Sequence, residues 1–119
     1  PSEPVALALP LGEEAVVAFL ALLSAGHPVV GIAESLSSEE IGRRMRIARA
    51  RWVVTAETVR RRGERLPLAE RVRAAGDFRL VVAGGTARAG DASWDDLAAA
   101  AGAFVPRSRP VDETAVVLF

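Results

Sequence analysis

Apolar residues in this chain come as short unbroken runs, separated by stretches in which they recur at helical spacing. Residues 5–9 form the first run, closed by Pro10 and Gly12, which is the pattern of a strand buried on both faces. Glu13 and Glu14 then open a helix, where their charges suit its positive end, and Ser24 and Gly26 stop it. Residues 15–23 are apolar almost all round, which predicts a helix buried between layers. The second run, 28–32, begins on a proline, a residue that belongs at a strand start because it cannot donate to a ladder. Ser37 and Glu40 have capping-box spacing, so the Ser37 hydroxyl would take the third helical amide and Glu40 would reach back. The helix they open places Ile41, Met45 and Ala48 on one face. It also sets Glu39 with Arg43, and Glu40 with Arg44, four residues apart.

A third short strand is expected at 52–55, followed by a basic segment, 57–65, that reads as a loop. Pro67 suits the first position of a helix reaching Ala75. Residues 78–82 make a fourth strand, with Gly84 and Gly85 as the turn that ends it. Ser93 opens a short Ala-rich helix that Gly102 ends, and Pro106 and Pro110 hold an extended linker into the last apolar run, 115–119, an edge strand. Strand and helix alternate through five units with connections long enough for crossovers. The fold class this predicts is α/β, a mostly parallel, doubly wound sheet with flanking helices.

Composition narrows the function more than the fold. At 119 residues, half of them hydrophobic and a quarter charged, the chain is globular and sized for one domain. Its formal net charge is zero, so no long-range field draws nucleic acid or an anionic membrane, and neither is an expected partner. The longest apolar stretch has nine residues, far short of the ~20 a spanning helix needs. The first residues lack the basic-then-apolar order of a signal peptide, and no cysteine is present for a disulfide or thiolate metal site. The expected location is therefore the cytoplasm. All fifteen basic residues are Arg, which leaves no Lys to serve a phosphate or act as a base.

Several candidate sites dissolve on inspection. A phosphorelay receiver would need an acidic pair after the first strand, an acceptor Asp after the third and a Lys after the fifth, and none is present. A dinucleotide site would need G-x-G-x-x-G where only Gly12 stands. His27, the one imidazole, reads as a loop or strand-edge residue, and Trp52 and Trp94 as core anchors. Asp95 and Asp96 are explained by the dipole of the helix they open. Eleven Arg lie from Arg43 to Arg73, but they alternate with apolar positions and with Glu57, Glu64 and Glu70, as on a solvated helix face. The exception is Arg60, Arg61 and Arg62 beside Gly63, where three guanidinium groups crowd one loop and could clamp a phosphate.

Taken in order, the segments VALALPLGEEAVVAFLALLSAGHPVV, SLSSEEIGRRMRIARARWVVTAE, RRRGERLPLAERV, SWDDL and DETAVVLF resemble the adenylate-forming acyl-CoA synthetases over nearly the whole chain. RRRGERLPL with SWDDL is most similar to the acetyl- and short-chain acyl-CoA synthetase branch. The resemblance implies that residues 1–119 are the N-terminal part of an AMP-binding domain, ending just before its phosphate loop. It implies a two-step reaction using ATP, magnesium and CoA, in which a small carboxylate is adenylated and its acyl group passes to a thiol. It implies as partners the remainder of the adenylation domain and a C-terminal domain that carries the catalytic Lys. No catalytic, nucleotide-binding or metal residue is expected within this segment, which alone should be inactive.

In that branch an R-x-G-[KR] segment contacts phosphates of CoA, and the resemblance makes Arg61 and Arg62 the candidate CoA-phosphate residues. Arg61 falls on the first motif position. Glu64 falls on the second, where the family has a base and where a carboxylate repels phosphate, leaving Arg60, Arg62 or Arg65 to compensate. Two further readings stand beside this one: a loading enzyme whose acceptor is a carrier-protein pantetheine, and a non-catalytic α/β binding or subunit module.

Overall fold

The computed structural model describes residues 3–85, 88, 90–100 and 102–119. At its centre lies β1 (Val5–Ala8), flanked by β2 (Val29–Gly31) on one side and β3 (Trp52–Ala56) on the other. Beyond β2 sits β8 (Val116–Val117), and beyond β3 come β6 (Arg79–Ala83) and the two-residue β7 (Ala92–Ser93), so the order is β7-β6-β3-β1-β2-β8. Every neighbouring pair in this sheet is parallel. The predicted α/β sheet with flanking helices is what forms.

Alternation along the strands divides the core in two. Ala6, Ala8, Val30, Val53, Leu80 and Val82 point to the face covered by α2 (Ser38–Ala48) and α3 (Leu68–Ala75), where Ile41, Met45, Leu68 and Val72 close the larger core. The two helices touch at Gly42, where a Cβ would lie 2.4 Å from the Ala75 carbonyl oxygen. Val5, Leu7, Val54 and Val81 point the other way, to α1 (Glu13–Ala25) and α4 (Trp94–Ala99), with Ala18, Leu22, Trp52 and Trp94. Among the described residues one polar side chain is buried in the sheet: Thr55 Oγ1 donates to the Ala8 carbonyl at 2.9 Å, tying β3 to β1.

The local signals act largely as their chemistry requires, but Pro67 caps α3 rather than being its first residue and the last apolar run pairs only over Val116–Val117. Ser37 Oγ accepts from the Glu40 amide at 3.2 Å, but the Glu40 carboxylate turns outward to Arg44 at 2.9 Å and Arg43 at 3.7 Å instead of closing the capping box. Arg43 is thus drawn to Glu40, one turn back, rather than to Glu39. The expected loop at 57–65 is instead an antiparallel hairpin of β4 (Val59–Arg61) and β5 (Glu64–Leu66). The last helix stops at Ala99, before Gly102, while Ala101 lies outside the described residues.

A further difference concerns α1, expected between layers. Only Ala18 is buried in it, and Val16, Val17 and Leu20 stay about half exposed.

Candidate functional site

The chain leaves β1 toward β2 and leaves β3 toward β6, in opposite directions, so the loops at the carboxyl ends of these adjacent strands diverge. Such a switch point is where open parallel sheets hold ligands. A crevice of about 380 Å³ opens there, lined among others by Pro10, Gly12, Glu57, Thr58, Arg65 and Gly84. Gly84 and Gly85 both have left-handed φ, 72° and 70°, and a Cβ on Gly85 would come within 2.8 Å of Glu57 Cγ. The turn expected at these glycines is therefore also a wall of the crevice, and glycine is what lets it approach Glu57.

Glu57 is anchored from behind. Arg73 Nη2 donates to Asp91 Oδ2 at 2.6 Å and stands 3.9 Å from Glu57 Oε2, while its Nη1 stands 3.9 Å from Glu70, which also pairs with Arg88. Glu57 Oε2 and Arg73 Nη1 are each buried without a hydrogen bond, so at 3.9 Å the Nη2–Oε2 and Nη1–Glu70 contacts hold by charge rather than by hydrogen bonding. The network fastens α3 and the segment before β7 to the end of β3. Pattern reading missed Glu57 as a site residue, although its place one residue beyond the strand was a usable signal.

Beside the crevice stands the β4–β5 hairpin. Val59 pairs with Leu66, Arg60 with Arg65, and Arg61 with Glu64. Its turn is Arg62-Gly63, with φ of 48° and 79°, the two positive values that a tight hairpin turn needs to match strand twist. Arg60, Arg61 and Arg62 are all exposed, so the hairpin presents guanidinium groups at the carboxyl-end rim of the sheet. Arg61 does not stand alone. Its Nη2 lies 3.8 Å from Glu34 Oε1, in the loop after β2, and Glu64 faces it across the hairpin. Glu34 is held in turn by its backbone, whose carbonyl accepts from Arg71 Nη1 at 2.7 Å. Arg62, at the tip, shares an open hollow with Arg61, Glu64 and Leu66.

The other sequence candidates take structural places. His27 Nδ1 donates to the Glu3 carbonyl at 2.9 Å, and Glu3 also pairs with Arg51. Trp52 and Trp94 pack half-buried on the α1 side of the sheet. Asp95 and Asp96 lie in the first turn of α4, where Ser93 Oγ accepts from the Asp96 amide. Among the described residues no three His, Cys, Asp or Glu side chains gather as metal ligands, and no helix is long and apolar enough to cross a membrane.

A doubly wound parallel sheet with an open switch point and an arginine-rich hairpin on its rim defines a scaffold suited to phosphate-bearing ligands. The AMP-binding enzyme family model matches residues 1–119, and the chain belongs to that family. It is similar to hexanoyl-CoA synthase of Cannabis sativa, with 35% identity over 97% of this chain and 18% of that protein. It is also similar to probable acyl-activating enzyme 18, peroxisomal, of Arabidopsis thaliana, with 35% identity over 80% of this chain and 14% of that protein. Acetoacetyl-CoA synthetase from Streptomyces lividans shares the fold with a TM-score of 0.86 at 24% identity, over all of this chain and 20% of that one. The chain thus spans a fifth or less of the length of each of these relatives.

Proposed function

We propose that residues 1–119 form the N-terminal part of the AMP-binding domain of an ATP-dependent acid–thiol ligase, ending just before the phosphate loop. In the first step a carboxylate oxygen attacks the α-phosphorus of ATP, and the bond to pyrophosphate breaks. In the second a thiol sulfur attacks the acyl carbonyl carbon, the bond to AMP breaks, and the thiol proton leaves to a base outside this segment. ATP would arrive with magnesium, and CoA would supply the thiol. The segment contributes no reacting group. It supplies the sheet on which the remainder of the domain assembles, and the hairpin tip with Arg61 and Arg62, at the rim where the phosphates of the acceptor would approach.

The observation that carries this reading is the family match over the whole chain, joined by relatives named for acyl-CoA formation or acyl activation. It is tested by carboxylate-dependent exchange of labelled pyrophosphate into ATP, using the protein that contains this chain and a panel including acetate, acetoacetate and hexanoate. Exchange with at least one carboxylate, followed by thioester formation with CoA, is expected. Absence of exchange across the panel would overturn it.

A further inference from the structure

Arg61 is the best placed of the hairpin cations to meet a phosphate arriving at the rim between the ends of β2 and β3, yet it has carboxylates on two sides. Glu34 Oε1 is 3.8 Å from its Nη2, and Glu64 is its register partner. The backbone of Glu34 is held by Arg71 and its side chain is only 24% exposed, which keeps the carboxylate close to Arg61. A phosphate approaching Arg61 would have to displace one carboxylate and tolerate the other at close range, where like charges repel. Arg62, on the turn, makes no ion pair among the described residues and faces the open hollow that Glu64 also lines, where a phosphate can reach it.

We propose that Glu34 is a specificity-determining residue for the thiol acceptor: by neutralising Arg61 it keeps the hairpin from binding a second phosphate group, such as the ribose 3′-phosphate of CoA. The acceptor is then held through its pantetheine arm and one phosphate site, and a thiol without the 3′-phosphate serves as well as CoA. This rests on the reading of the hairpin as the acceptor's phosphate site.

The experiment is calorimetric binding of CoA and of dephospho-CoA, which lacks only the 3′-phosphate, to the protein containing this chain, paired with KM and kcat for each thiol. The unmodified protein should bind the two within about twofold. Glu34→Gln, which keeps the side-chain shape and the backbone carbonyl that Arg71 holds, should tighten CoA about three- to fivefold, the span expected of one exposed charge pair, and leave dephospho-CoA unchanged. The change should fall on KM and not on kcat, and Glu64→Gln should move the ratio the same way. Weaker binding of both thiols in Arg62→Ala, with an unchanged CoA to dephospho-CoA ratio in Glu34→Gln, overturns the role of Glu34 alone. No effect of Arg62→Ala on either thiol overturns the hairpin site itself, and the proposal with it, while weaker binding of CoA but not of dephospho-CoA in Arg61→Ala overturns the neutralisation of Arg61 by Glu34.

Discussion

At the scale of single residues, the two chemically telling side chains in this molecule are held by distant partners. Thr55 is fully buried and spends its hydroxyl on the Ala8 carbonyl, 47 positions away, at the place where the two central strands run side by side. Thr55→Val keeps the shape and β preference but leaves that carbonyl short of a donor. Stability should fall by about 1–2 kcal/mol, read as a lower urea midpoint with an unchanged slope. Arg61 shows the same dependence on distant sequence. Its positive charge was visible in RRRGERLPL, and Glu64 beside it was visible too, but Glu34 lies 27 positions earlier and only the sheet order brings it near. A site assembled from the ends of two strands is legible in sequence only one half at a time.

At the scale of elements, α2 is the best specified, with an N-cap, acidic residues in its first turn and an apolar face on Ile41 and Met45. Glu40 in that helix sits below the ordinary carboxylate range. The hydrogen bond from Arg44 is the first cause, partial burial opposes it, and the charges of Arg43 and Arg44 add to it. A depressed folded pKa means that the unfolded chain takes up the proton first, so this stabilisation is present above the ordinary carboxylate pKa. It is lost as pH falls through the depressed value. Melts of the protein and of Glu40→Gln should therefore differ near neutral pH and converge as pH falls below the depressed value; a gap that stays constant would refute the linkage.

The β4–β5 hairpin went unread for a physical reason. Its strands carry charge on most positions, only Val59 and Leu66 turning inward, and its turn uses Arg at a positive φ where Asn or Asp would have announced it. β7, with two residues, is too short for any periodicity to register. The longer strands were read to within a residue or two, because a parallel sheet covered on both faces demands unbroken apolar runs.

At the scale of the whole molecule, the two sheet faces are finished to different degrees. The α2–α3 face encloses a continuous core, while on the other side Val16, Val17 and Leu20 of α1 and Leu97 of α4 remain about half exposed. The all-round apolar pattern of α1 predicted a helix covered on both flanks, and in this structure one flank stays half exposed. The pattern could not say what supplies the second cover. The exposed flank should bind a hydrophobic dye, and Val17→Glu with Leu20→Glu should abolish most of that fluorescence while lowering the melting temperature by no more than a few degrees.

The parallel ladder also has a consequence in time. Because β1 pairs with β3 and with β2, and never with a strand joined to it by a tight turn, it stays unsatisfied on one edge until residue 52 and its neighbours arrive. On a ribosome adding about 5–20 residues per second, that is a delay of some seconds, during which Val5–Ala8 is an apolar segment with open backbone groups. Chain order alone thus leaves the strand at the heart of the finished sheet half-paired for seconds while the protein is being made, and its neighbour β2 waits longer still, until β8 emerges.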